Sequence, residues 1–298
     1  MSPRNLLLVD PSADTTPRLA ETRFDAAEAN ALPVSDIRVA RSPGPSPVPG
    51  PGDHVADYQI IGQLGGGGMG VVLAALDRQL GRKVALKLIH AELRSVEFKA
   101  RFISEARAMA RVSHPNVVTI HAFGEHEEAP FMVMELVEGE TLEAWLAKQP
   151  DEPDIDEVLR ILNQVCLGVS AIHEAGTLHR DLKPSNILLD TQLRARVSDL
   201  GLAIPFKAGV GNKEAVGTPG FIAPEIHFDI AADGGASPQS DLYSLACIAF
   251  ELLTGYPPYS ADDDLVLAVL HGTAPLPVAS ERRKNLPQAF DRVLQQAL

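Results

Sequence analysis

Cysteine, basic charge and long apolar runs are all scarce in this 298-residue chain. The only cysteines, Cys166 and Cys247, stand far apart in apolar helical contexts. They form no disulfide framework and read as buried, reduced thiols, which suits a reducing compartment. Lys and Arg number 26 against 39 Asp and Glu, a net charge of −13. That balance argues against nucleic acid as the main partner, because phosphate backbones call for basic surfaces. No apolar run reaches the roughly 18–20 residues of a membrane helix. Leu6-Leu7-Leu8-Val9 is too short for a signal-peptide core. What remains is 45% hydrophobic and long enough for one large domain or two lobes with real cores.

The first 55 residues read as a disordered, Pro-rich leader. From Arg41 to Gly52 proline alternates with small residues, a composition that favours extended, solvated chain. Thr15, Thr16, Ser42 and Ser46 offer hydroxyls there for docking or autophosphorylation.

Ordered structure is expected from about residue 56. Tyr58 to Leu64 has strand character and leads into Gly65-Gly66-Gly67-Gly68-Met69-Gly70-Val71-Val72. Gly65, Gly67 and Gly70 fit G-x-G-x-x-G, a spacing shared with dinucleotide-binding folds. In those folds the loop opens a helix. Here it opens the apolar run Val71–Leu76, then a turn at Leu80–Lys83, then Val84–Ile89. The order is strand, glycine loop, strand, turn, strand. Lys87 is the single charge in the third strand, and a buried lysine needs a partner. Ser95 to Val112 is a predicted helix, with Phe98, Phe102, Ala106, Met109 and Ala110 at helical spacing and Glu105 beside the stripe. Glu97 lies nearer the helix start.

The densest chemistry is His179-Arg180-Asp181-Leu182-Lys183-Pro184-Ser185-Asn186, followed by the apolar run Ile187-Leu188-Leu189. Pro184 bars a helix through its middle, so a polar loop beside a buried strand is expected. Spelled H-R-D-L-K-P-S-N, it matches a protein-kinase catalytic loop. From about Tyr58 onward the chain resembles the bacterial Ser/Thr protein kinases of the eukaryotic-like (Hanks) type.

The resemblance implies an α+β, two-lobed kinase fold. Its small β-rich N-lobe spans 56–136 and its larger helical C-lobe 137–298, ending before the family's last helix. It implies ATP and Mg²⁺ in the cleft between the lobes. Leu64, Gly65, Gly67, Gly70, Val72 and Ala85 would cover the nucleotide, and Lys87, paired with Glu105, would hold its phosphates. Met134 and the backbone of Glu135 and Val137 would receive the adenine, with Leu188 beneath it. Asp181 would orient the acceptor hydroxyl, and Lys183 would offset charge developing on the γ-phosphoryl. Asn186 and Asp199 would hold the metal. His179 reads as a structural hydrogen-bonder. Asp241 matches a buried aspartate that holds the catalytic loop, though its place also suits a helix cap.

Gly217-Thr218-Pro219-Gly220-Phe221 and Ala223-Pro224-Glu225 resemble the peptide-docking part of Ser/Thr kinases and favour protein substrates. Three departures stand out. Asp199-Leu200-Gly201 replaces the commoner D-F-G. Residues 202–216 contain no Ser, Thr or Tyr, so Arg180 is expected to receive no phosphate from the central loop. Arg282 and Arg283 come early for the arginine that pairs with Glu225 in the family. A nucleotide-binding pseudokinase is the alternative reading, opposed by the complete set Lys87, Glu105, Asp181, Lys183, Asn186 and Asp199. A small-molecule phosphotransferase is opposed by residues 217–225. A cytoplasmic setting is expected, with any membrane tether lying beyond Leu298.

Overall fold

The computed structural model describes residues 48–68, 70–90, 96–150, 152–199, 219–228 and 236–298. Strands β1 (His54–Val55), β2 (Tyr58–Gly67), β3 (Gly70–Asp77), β4 (Arg82–Ile89), β5 (Ile120–His126) and β6 (Ala129–Glu135) form one antiparallel sheet in the order β1-β2-β3-β4-β6-β5. Alternation drives it. Val71, Leu73 and Ala75 on β3 face inward with Val84 and Leu86 on β4 and Phe131 and Val133 on β6. Helix α1 (Val96–Met109) follows β4, with Phe102, Ala106 and Met109 buried and Lys99 bonded to Glu125 of β5 at 2.8 Å. Ala110 falls past the helix end and is exposed, off the expected stripe.

Residues on the leader side of the expected boundary at residue 55 pair with the sheet. Gly52 donates its N–H to the Ile60 carbonyl and Ile60 donates to Asp53, both at 2.9 Å. Val55 is fully buried under β2, so this end of the leader belongs to the sheet. Residues 1–47 and Met69 lie outside the described residues.

The second half is mainly helical. Strand β7 (Gly139–Thr141) and helix α2 (Leu142–Leu146) follow the link from β6, with the Thr141 hydroxyl capping α2 at Ala144 N. Helix α3 (Ile155–Glu174) is capped by Asp154 and buries Val158, Ile161, Leu162, Val165, Val169 and Ile172 at helical spacing. Strands β8 (Ile187–Asp190) and β9 (Ala195–Val197) join β7 in a small antiparallel sheet. Then come α4 (Pro224–His227), α5 (Pro238–Thr254), α6 (Asp264–Thr273), α7 (Ala279–Arg282) and α8 (Ala289–Ala297). Helix α5 is the apolar axis, with Leu245, Ile248, Phe250, Leu252 and Leu253 in one core with the buried face of α3.

No α-helix runs through the middle of the loop at Pro184, as expected. Pro184 starts a single 3₁₀ turn, Pro184–Asn186, where its missing N–H has no consequence. Asp241 does not cap α5. Ser237 does, in a reciprocal box with Ser240, and Asp241 is inside the helix.

Candidate active site

The site is assembled on an apolar floor. Ala85 of β4, Val118 and Met134 of β6 are buried together, and Val72, Leu136, Val137 and Leu188 pack against them. Five residues expected around an adenine therefore meet in one cluster: Val72, Ala85, Met134, Val137 and Leu188. Leu64 is 53% exposed and stands outside it. Glu135 ends β6, and its N–H is taken by the Thr119 carbonyl at 2.8 Å, which orients this link between the two halves.

The glycine loop is the turn of the β2–β3 hairpin, with Gly65 opposite Val72 and Gly67 opposite Gly70. Around Gly65 and Gly67 a side chain would meet nothing within 4 Å, so that face is open. Gly70 has a different reason to be glycine. A Cβ there would run into the Leu88 carbonyl of β4, so it is required by strand packing.

The charged groups form two sets. Lys87 reaches across from β4 and its Nζ donates to Asp199 Oδ1 at 2.7 Å, with the lysine side chain 13% exposed. This supplies the partner a buried lysine requires. Glu105 belongs to α1, but its side chain lies outside the described residues, as do Leu200 and Thr218. In the second set, Asp181 Oδ2 accepts from Lys183 Nζ at 3.0 Å and from Asn186 Nδ2 at 2.9 Å. Asn186 Nδ2 also donates to the Asp181 carbonyl at 2.8 Å, closing the loop on itself.

The backbone is shaped to aim these groups. Arg180 has φ +67° and Asp199 φ +52°, left-handed values that cost non-glycine residues free energy and mark over-determined sites. Asp241, 1% exposed, supplies the determination. Its Oδ2 accepts from His179 N and its Oδ1 from Arg180 N, each at 2.8 Å. His173 Nε2, at the end of α3, donates to the same Oδ2 at 2.8 Å. His179 is fully buried, and burial pushes its pKa down against the pull of Asp241. Its Nδ1 accepts from Asp181 N at 3.3 Å and its Nε2 sits 3.0 Å from the Ser198 carbonyl. That geometry fits a neutral ring protonated on Nε2, a structural bonder. Ser198 donates its N–H and its hydroxyl to the Asn186 carbonyl, at 2.8 and 2.9 Å. The loop and the Asp199 segment are thus tied to one frame. His173 and Ser198 were not singled out by sequence, since nothing local marks either as a partner of a distant group.

The residues fit Mg²⁺ and a nucleotide. Among the described residues, Asn186 spends its nitrogen on Asp181 and leaves Oδ1 without a bond, and Asp199 bonds Lys87 through Oδ1 and leaves Oδ2 without one; both are hard oxygens of the kind Mg²⁺ selects. Arg282 and Arg283 are engaged elsewhere. Arg282 donates to the Pro257 and Pro258 carbonyls at 3.2 and 3.3 Å, and Arg283 donates to the Leu253 carbonyl at 3.0 Å. Glu225 has neither as its partner.

A small antiparallel sheet over a helical half, an apolar floor between them and two converging charged sets define the protein kinase fold. The chain belongs to the protein kinase domain family, which it matches over residues 58–297. It is 34% identical to the serine/threonine-protein kinase PrkC of Bacillus subtilis, over 80% of this chain and 37% of that one. It is 35% identical to the serine/threonine-protein kinase PknL of Mycobacterium tuberculosis, over 80% of this chain and 59% of that one. The chain therefore spans less than two thirds of the length of these relatives. Among solved structures it resembles the M. tuberculosis PknI kinase domain, with a TM-score of 0.68, 28% identity, and coverage of 84% of this chain and 90% of that one.

Proposed function

We propose that the chain is a Ser/Thr protein kinase that moves the γ-phosphoryl of ATP to a protein hydroxyl. The observation that carries this reading is the convergence of Lys87–Asp199 and Asp181–Lys183–Asn186 beside one apolar floor. ATP lies with its adenine on Leu188 under Val72 and Ala85, and with its phosphates toward Lys87. Asn186 and Asp199 would hold Mg²⁺, which would offset phosphate charge when bound. Asp181 accepts a hydrogen bond from the acceptor hydroxyl and orients it in line with the γ-phosphorus. Lys183 sets a positive charge where the transferring group becomes more anionic. The acceptor oxygen bonds to phosphorus as its proton passes to the Asp181 carboxylate, the bond from the γ-phosphorus to the β-phosphate oxygen breaks, and ADP leaves. Glu105 is proposed as a further partner of Lys87.

The docking segment at 217–225 supports protein acceptors. Among the described residues no helix is long and apolar enough to cross a membrane. Use of ATP and two unpaired cysteines support a cytoplasmic position for this domain, with the Pro-rich leader as a spacer ahead of it.

The test is transfer of ³²P from [γ-³²P]ATP to a generic acceptor protein, followed by phosphoamino-acid analysis. Label on Ser or Thr that requires Mg²⁺ and vanishes in Lys87→Met supports the reading. Bound ATP with no transfer would move it to a nucleotide-binding pseudokinase.

A further inference from the structure

We propose that Arg196 is a positioning residue that fixes the adenine-binding link against the strands carrying the metal-facing groups, so that a nucleotide spanning both ends is held at one length. The inference rests on the nucleotide site described above.

Arg196 lies in β9, opposite Leu188 of β8, the floor of the adenine cluster. Its guanidinium bridges two carboxylates. Nε is 3.3 Å from Glu135 Oε1, and Nη1 is 3.3 Å from Asp190 Oδ2. Glu135 ends β6, where the adenine is received, and Asp190 ends β8. One side chain therefore connects the N-lobe sheet, the floor strand and its own strand.

Two features raise this above an ordinary surface ion pair. The Arg196 and Asp190 side chains are only 17% and 10% exposed, so solvent screens them weakly. Asp190 is also a fixed anchor. It accepts from the N–H groups of Gln192 and Arg194 at 2.9 and 3.0 Å and from Arg194 Nε at 2.6 Å. The planar fork of arginine can serve both carboxylates at once, which a lysine ammonium does less well. Beyond Arg196 the chain runs through Ser198, bonded to the Asn186 carbonyl, into Asp199, bonded to Lys87. A displacement of β9 reaches Asp199 three positions beyond Arg196, and reaches Asn186 through the Ser198 hydrogen bonds to its carbonyl.

The prediction separates ligands that touch one end from those that span both. Adenosine uses the adenine end alone, whereas MgATP uses both. In competition against a fluorescent nucleotide, Arg196→Gln should weaken MgATP about three- to tenfold, the worth of a partly buried charged contact, and leave adenosine unchanged. Arg196→Lys should recover part of the loss. Glu135→Gln should show the same MgATP-selective loss, and combining it with Arg196→Gln should add little. Should Arg196→Gln fold poorly, Glu135→Gln decides, because it leaves the other bonds to Asp190 intact. Unchanged MgATP affinity, equal losses for adenosine and MgATP, or fully additive losses in the double variant would each overturn the proposal. A protein that binds MgATP and transfers nothing would overturn the kinase function instead, and the binding comparison would still judge Arg196.

Discussion

Lys87 Nζ lies 2.7 Å from Asp199 Oδ1, joining the third residue from the end of β4 to the segment that leaves β9. Each charge is the other's partner, so removing one leaves a partly buried charge alone. Lys87→Met should keep the fold and lower transfer by about two to three orders of magnitude, the usual loss for one electrostatic contact to the reacting group. Asp199→Asn should instead shift the Mg²⁺ dependence to higher concentration, because a charged metal ligand is lost. Steady-state rates across a Mg²⁺ titration distinguish the two, and identical profiles would contradict the assignment.

Asp241 determines the shape of the catalytic loop. It accepts two backbone N–H groups and His173, and Arg180 is held at φ +67° between them. Asp241→Ala should cost about 3 kcal/mol or more, because it leaves buried donors unpaired. Urea unfolding measures this. Protein that remains folded should have lost kcat more than nucleotide affinity, since Asp181 follows directly on Arg180.

Much of this was legible in the sequence, and the limits have a physical cause. Lys87, Asp181, Lys183, Asn186 and Asp199 could be read because adjacent residues fix their own spacing and because a lone charge in an apolar strand is conspicuous. The same signal was present at Arg196, between Ala195 and Val197, yet its partners Glu135 and Asp190 are set by tertiary packing. Asp241 could be read as either a cap or a loop anchor, because only the fold brings α5 beneath His179 and Arg180. Gly70 looked like a phosphate glycine, and its collision with β4 appears only once the strands are in register.

Stability should fall as the solution is acidified below neutrality. His271 is 5% exposed and its Nδ1 is 2.6 Å from the Tyr243 hydroxyl. Burial first, and His227 second, push its pKa down to about 4 from 6.5. Tyr259, stacked edge-on at 4.9 Å, supplies no charge to offset this. The unfolded chain takes up a proton on this histidine as pH falls through 6.5, while the folded chain does so only near 4. The unfolded state therefore binds more protons in that window, and folding loses roughly 1–3 kcal/mol across it. His121 and His179 are shifted in the same direction by burial, so His271→Phe should flatten the slope without removing it. An unchanged slope would contradict the assignment. Asp190, by contrast, is held down to about 2: burial raises it, but the N–H groups of Arg194 and Gln192 and both guanidiniums lower it further. Its contribution is present above the ordinary carboxylate range and is lost only as pH falls toward 2.

Residues 202–216 contain no Ser, Thr or Tyr. Activity should therefore not depend on phosphate in that stretch. Phosphatase treatment should leave the rate of transfer unchanged, and phosphosite mapping should place any autophosphorylation elsewhere. Complete loss of activity on dephosphorylation would contradict this.

Asp181 is proposed to serve the transfer of phosphoryl and not the binding of ATP. Single-turnover transfer and MgATP affinity, measured together on wild type and Asp181→Asn, test it most directly. The expected result is unchanged affinity with transfer slowed by about two to four orders of magnitude, the range of a positioned acid–base group. Transfer that persists near the wild-type rate, or that falls only in proportion to lost ATP affinity, would contradict it.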